Sequence, residues 1–404
     1  MKIKLVSRAF YEDAYLDFFL YYYLSIGIDK IVLLKADSDE CYNLPKYKLS
    51  DNIKKEDIDK IEIINVPNLG NNLLIQYYDV YNDKNYDWVL HIDCDEFLIF
   101  DIEKFGNIHN YVNNYLELIS NTYNIDSNNV QQLQFRWMCI HKYDNKFIKN
   151  DNEYKNYTIN NYIENYPLEF FKYTKVLART KYMKDKPLSY NNSEKVLDIK
   201  NLPKTEKVID PHYFNMNILP DIVNINNKKF KKLNILDNYY VIRYNKCNPM
   251  FLVNKKKSCT FGFLLHINTR SLINSITKCL VTKLRQVKQL DDLSEFRNFI
   301  NNICLNNNNN DKNCKELKNK LNTFLKYKYT FPIKNKEIHK QYIDYLDMNY
   351  INNLLLNNIN SNKHKYDIKN IPFINIKKEI EIFKILCKKK EIDFEKLMYI
   401  VNLY

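Results

Sequence analysis

Residues 87–98 read DWVLHIDCDEFL. Trp88 to Ile92 form a short run rich in apolar and β-branched side chains, the composition of a strand buried on both faces. Three carboxylates follow at once: Asp93, Asp95 and Glu96. Acidic groups at the end of a buried strand repel one another and lose hydration. A hard divalent cation with oxygen ligands offsets both effects. Mn²⁺ or Mg²⁺ held by Asp93 and Asp95 would also neutralise a diphosphate and make a nucleotide a better leaving group. A bare D-x-D is common in solvated turns, but directly after an apolar strand it points to a site. Cys94, between the two aspartates, reads as a strand position.

Upstream, KIKLVS (2–7) reads as a first strand. YEDAYLDFFLYYYLSI (11–26) reads as an aromatic-rich helix ending at Gly27, a residue suited to a C-terminal cap. IDKIVLL (28–34) is a second strand closed by the polar run from Lys35 to Glu40, and KIEIINV (60–66) is a third. Residues 71–83 suit a helix leading into the fourth strand, DWVLHID. This alternation predicts an α/β fold, a Rossmann-like and mostly parallel sheet flanked by helices. Ligands of such open sheets gather at the carboxyl ends of the strands. Asp37 and the Asp93–Asp95 pair both fall there.

Downstream, the polar, Asn-rich segment 144–166 reads as a loop excursion, and NNICLNNNNNDKNC (301–314) as a low-complexity linker. From 315 onward charged and apolar residues alternate at helical spacing, as in EIEIFKILCKKKEIDFEKLMYIV (379–401). The expected organisation is an α/β domain over 1–285, a helix and linker over 286–314, and a helical C-terminal region over 315–404.

A hydrophobic fraction of 45% excludes a wholly disordered chain. The skew toward Asn, Lys, Ile and Tyr, with four Gly, is that of AT-rich coding, as in a large DNA virus or an AT-rich protist. The net charge of +13 is spread along the chain without a dominant basic block, so no nucleic-acid partner is expected. Nine Cys occur without a CxxC pair or a zinc-like Cys/His cluster, which suits reduced structural thiols. The N-terminus lacks signal-peptide features, and no stretch reaches the roughly eighteen apolar residues of a transmembrane helix. A soluble, cytoplasmic protein is expected.

GIDKIVLLKADSDE (27–40), a helix containing Gln76, and DWVLHIDCDEFL together resemble glycosyltransferase family 2-like and family 92-like proteins of the GT-A fold. The resemblance spans residues 1–285. It implies a nucleotide-sugar donor of the UDP or GDP class, usually Mn²⁺, and transfer with inversion to a hydroxyl of a glycan, protein or lipid acceptor. Glu12 stands where the family has an Asn-Glu pair near the donor nucleoside, although this chain carries Tyr11-Glu12. Asp37 matches the position beside the base or ribose. QFRWMCIH (134–141) resembles the family's Trp-bearing strand, while its chemistry alone reads Trp137 as a core aromatic. Lys175 in KYTKVLAR matches a K-x-[IV] strand and would face phosphate as a point charge.

LLHINTRSLINSITK (264–278) resembles the family's H-x-x-[KR]-S…K segment. It implies His266 as the imidazole that completes Mn²⁺ coordination. Arg270 and Lys278 would hold the diphosphate. The family's His-Tyr pair occurs instead at His212-Tyr213, so His212 stands as the alternative ligand. Glu169, shortly before the K-x-[IV] strand, is the candidate base for the acceptor hydroxyl. Two other readings stay open. A nucleotidyltransferase would use the same carboxylate–metal logic but needs a Gly-rich loop near the first strand, and none is present. The other is a non-catalytic glycan- or nucleotide-binding protein on a decayed transferase fold.

Overall fold

The computed structural model describes residues 1–35, 46–66, 77–123, 126–140, 158–165, 168–183, 221–224, 240–243, 262–267, 270–271, 273–274, 276–277, 348–389, 393–395 and 397–398. The four apolar runs of the N-terminal part form strands β1 (Ile3–Ala9), β2 (Lys30–Lys35), β3 (Ile61–Asn65) and β4 (Trp88–Asp93). They are followed by β5 (Glu96–Ile99), β6 (Val130–Ile140), β7 (Leu168–Arg179), β8 (Asp221–Asn224), β9 (Tyr240–Arg243) and β10 (Phe263–Ile267). One sheet results, in the order β3-β2-β1-β4-β7-β6-β10-β5, with β9 beside β6 and β8 beside β9. Six of the nine pairings among the described residues are parallel. Only β5 and β7 run against the rest, so the carboxyl ends of β1, β2, β4, β6 and β10 share one edge.

A parallel sheet must be covered on both faces, and the alternation along each strand provides for this. Ile3 and Leu5 of β1, Ile31 and Leu33 of β2, and Leu90 of β4 enter one apolar cluster. Val6, Val32, Leu34 and Val89 enter a second. The first is covered by helices α1 (Asp13–Ser25), α2 (Ile108–Tyr123), α3 (Ile159–Asn165) and α4 (Met348–Asn360). The second takes Ile382, Phe383 and Leu386 from α5 (Ile376–Lys389). Where it is described, the C-terminal region carries the helices α4 and α5 with a non-helical stretch over 361–375 between them, and it shares the core: Phe373 packs on Phe18 and Phe97 at ring distances of 5.0 and 6.2 Å. Among the described residues no helix is long and apolar enough to cross a membrane.

The aromatic run of α1 has a second use besides burial. As the last strand of the sheet order, β5 presents edge backbone groups that need partners. Tyr23 Oη donates to the Glu96 carbonyl at 2.9 Å and accepts from the Leu98 N–H at 3.0 Å. Tyr22 Oη donates to the Leu98 carbonyl at 2.6 Å, and the Asn358 amide of α4 donates to the Phe100 carbonyl at 2.8 Å. Side-chain groups on two helices therefore do the work of a neighbouring strand. After α1, Gly27 turns the chain at φ +91°, a conformation open to a residue without Cβ.

Two expectations need correction. Cys94 lies not in a strand but with Asp95 in the turn joining β4 to β5. The segment 144–166 is not a loop throughout: α3 forms within it, Asn161 Oδ1 accepts from the Thr158 N–H and hydroxyl, and Ile159 and Tyr162 are buried. Of the helix expected over 71–83, Tyr78–Tyr81 is helical, and 67–76 with Gln76 lies outside the described residues. The expected boundaries at 285 and 314 lie outside them too.

Candidate active site

The carboxyl edge of the sheet collects most of the chemically active side chains. β4 ends at Asp93, and the Cys94–Asp95 turn carries the chain across to β5, which starts at Glu96. β10 is inserted between β6 and β5. There His266 lies in register with Cys139 on one side and with Glu96 on the other. The next residue secures the turn, since the Ile267 N–H donates to the Asp95 carbonyl at 2.9 Å.

This register brings Asp95, Glu96 and His266 together, with one ligand atom from each within 4.8 Å of the others. His266 Nε2 is 3.6 Å from Asp95 Oδ2, and Nδ1 is 3.7 Å from Cys139 Sγ. The Trp137 ring packs on the imidazole with centroids 4.3 Å apart. Trp137 thus supports the site rather than serving only as a core aromatic.

Two carboxylates and an imidazole form a donor set for a divalent ion such as Mn²⁺. Glu96 gives this reading a specific anchor. It is fully buried; Oε2 accepts from the Asp93 N–H at 2.7 Å, while Oε1 has no hydrogen-bond partner among the described residues. An orphaned buried acceptor costs about 1–3 kcal/mol, which a bound cation would offset. Burial pushes the Glu96 carboxyl well above the usual carboxylate range despite the pull of Lys175, and Asp93 and Asp95 add to the rise.

Lys175 is buried, not solvated. Its ammonium lies 2.7 Å from Asp93 Oδ2, 3.5 Å from Glu96 Oε2 and 5.8 Å from the centre of the Trp137 ring. Burial alone would raise the Asp93 carboxyl, but Lys175, Arg8 and His91 hold it well below its ordinary value. Conversely, burial works against the Lys175 charge, and Asp93 and Glu96 overcome it and raise that pKa. Asp93 therefore sits beside the Asp95–Glu96–His266 group, engaged with a lysine.

A second constellation forms where β1 passes into α1. Tyr11 adopts a left-handed conformation, φ +58°, as the chain turns from Ala9 to Asp13. Non-glycine residues rarely take that conformation, and it marks a sharply constrained turn. The next residue, Glu12, accepts an ion-paired hydrogen bond from Arg270 Nη2, 258 residues away in the chain. The guanidinium lies over the Tyr15 ring at 3.5 Å from its centroid. Arg270 is fully buried, and its Nε and Nη1 have no hydrogen-bond partner among the described residues. Burial lowers its pKa to about 9, against the influence of Glu379. It remains a cation at neutral pH.

Asp93, Asp95, Lys175 and His266 are thus brought to one cluster, and Glu12 and Arg270 pair with each other. Glu169 lies in β7 opposite Cys139, the residue that pairs with His266 on its other side. Asp37, His212 and Lys278 lie outside the described residues. Sequence reasoning passed over Glu96 as a ligand, although it stands in the same acidic run. It gave no role to Tyr15, and none to Glu379, which has no local motif around it.

No protein-family model matches the chain, and no curated protein matches it. Among solved structures, it is similar to a crystal structure of an active-site mutant of LgtC, at 14% identity and a TM-score of 0.16, covering 44% of this chain. The match spans 57% of the LgtC chain. At that TM-score the likeness carries no weight of its own, and the α/β architecture rests on the strand order and register above.

Proposed function

We propose that this protein is a metal-dependent glycosyltransferase of GT-A type, moving a sugar from a UDP- or GDP-sugar to an acceptor hydroxyl with inversion. The observation that carries the reading is the Asp95–Glu96–His266 group at the carboxyl edge of the sheet, with Lys175 alongside. Asp95, Glu96 and His266 would hold Mn²⁺ or Mg²⁺, with Asp93 as the neighbouring carboxylate and His212 as the alternative imidazole. When bound, the ion would neutralise the donor diphosphate and ease departure of the nucleotide. Arg270 has a guanidinium fork suited to phosphate oxygens, with Lys278 as a second cation. Glu12 and Asp37 would face the nucleoside. Lys175 keeps Asp93 ionised, which preserves negative charge next to the cation site. Glu169 is the candidate base for the acceptor, a glycan, protein or lipid.

The test is slow hydrolysis of a panel of nucleotide sugars in Mn²⁺, Mg²⁺ or EDTA. Wild type is compared with Asp95→Ala and His266→Ala. Metal-dependent turnover of one donor, lost in both variants, supports the reading and identifies the donor. Loss in Asp95→Ala alone moves the imidazole role to His212. Failure of every nucleotide sugar to bind overturns the transferase reading in favour of a non-catalytic protein.

A further inference from the structure

α5, in the C-terminal region, docks largely through apolar side chains, yet it also buries a carboxylate. Glu379 is 4% exposed. A buried carboxylate carries a desolvation cost of several kcal/mol unless it is well bonded, and packing alone would be served by an apolar residue. The partners of Glu379 are specific: its Oε1 accepts from the Tyr15 hydroxyl of α1 and from the Ser271 hydroxyl. Both flank Arg270. Tyr15 provides the ring beneath the guanidinium, and Ser271 is the next residue in the chain. Ser271 Oγ also accepts from the Asn274 N–H at 2.8 Å, and Asn274 Oδ1 accepts from the Arg270 N–H at 3.3 Å.

The helix that carries Glu379 is itself registered on α1. The Asn375 N–H donates to the Ala14 carbonyl at 2.8 Å, the Glu379 N–H to the Asn375 carbonyl at 3.0 Å, and Lys378 Nζ lies 3.3 Å from Asp17. Arg270 Nε and Nη1, which have no hydrogen-bond partner among the described residues, thus rest on a frame closed by a residue more than a hundred positions downstream. We infer that Glu379 is a positioning residue for Arg270, fixing Tyr15 and Ser271 so that the guanidinium is pre-set for an anionic ligand, which makes α5 part of the anion-binding site. The inference rests on the reading of Arg270 as a diphosphate-binding group.

The test uses the full chain and measures binding of UDP and GDP with Mn²⁺ by calorimetry, and of Mn²⁺ alone by its free-ion magnetic resonance signal. Thermal melting checks that each variant is folded. Glu379→Ala is expected to weaken nucleoside diphosphate binding on the order of tenfold, as loss of a supporting partner does elsewhere, and to leave Mn²⁺ binding unchanged. Glu379→Gln, which keeps an acceptor oxygen, restores most of the affinity. Lys377→Ala, an exposed position on the same helix, binds as wild type does. On an Arg270→Lys background, Glu379→Ala adds much less than its separate effect, because both act through one group. Full affinity in folded Glu379→Ala, or full additivity with Arg270→Lys, overturns the inference. If Glu379→Ala does not fold, Ser271→Ala decides on the same criteria. Failure of wild type to bind either nucleotide overturns the transferase reading and this inference together; binding in wild type that is insensitive to Glu379 overturns this inference alone.

Discussion

Glu96 and His266 are directly paired residues of two antiparallel strands, β5 and β10, and Asp95 reaches the same point from the turn before β5. Replacing Glu96 by Gln keeps the shape and removes the carboxylate that a cation would bind. Glu96→Gln and His266→Ala are each expected to weaken Mn²⁺ binding at least about tenfold. Titration of Mn²⁺ followed by magnetic resonance reads this directly. Unchanged affinity in Glu96→Gln would leave Asp93 as the second carboxylate ligand.

Lys175 compensates two carboxylates in a buried setting. Lys175→Met removes that charge and leaves Asp93 and Glu96 facing each other. Breaking a buried pair costs roughly 3–5 kcal/mol, but the Asp93 side chain is 35% exposed, and solvent screening reduces the loss to about 2 kcal/mol. Urea denaturation gives the difference. A loss below about 0.5 kcal/mol would show that water already screens the pair.

Asp57 ties the N-terminal part of the chain to the C-terminal segment. It lies 2.6 Å from Lys365 Nζ, accepts from Tyr366 Oη at 2.7 Å and lies 3.0 Å from Lys60 Nζ. Burial raises the carboxyl, but Lys365, Tyr366 and Lys60 outweigh it and lower the folded pKa. A lowered folded pKa contributes stability that is present above the unfolded value, about pH 4, and is lost as pH falls through the folded one. Asp57→Asn should therefore lower stability at pH 7 and flatten the fall in stability below about pH 4. Denaturation at stepped pH checks both; an unchanged acid limb would assign it to other carboxylates.

The tyrosine hydroxyls that serve the β5 edge give a local prediction. Tyr23→Phe deprives the Leu98 N–H and the Glu96 carbonyl of their partner. The expected cost is about 1–2 kcal/mol, the penalty for leaving buried backbone groups unbonded. Hydrogen exchange at the Leu98 amide should accelerate by more than exchange in β1 or β4. Uniform acceleration across the sheet would mean that the hydroxyl supports global stability rather than this edge.

Much of the fold was legible because its signals are local. β1 to β4 are apolar runs bounded by polar residues, α1 is closed by a glycine, and the acidic run follows β4 without a break. The short helix α3 was missed because its Asn-rich sequence hides two core contacts, Ile159 and Tyr162, that only a surrounding core reveals. Trp137 was read as core for a related reason: strand alternation shows that a residue is apolar, not what it packs against.

By itself, then, the sequence determined that this chain has a mostly parallel α/β sheet with carboxylates at the end of its fourth strand, since strand period and turn chemistry act over a few residues. Only the tertiary structure decided that Glu96 joins Asp95, that His266 meets them between β6 and β5, and that Glu379 reaches Tyr15 and Ser271. Those contacts depend on strand order, register and helix docking. These follow from how whole elements bury their apolar faces against one another, and no local stretch of residues specifies them.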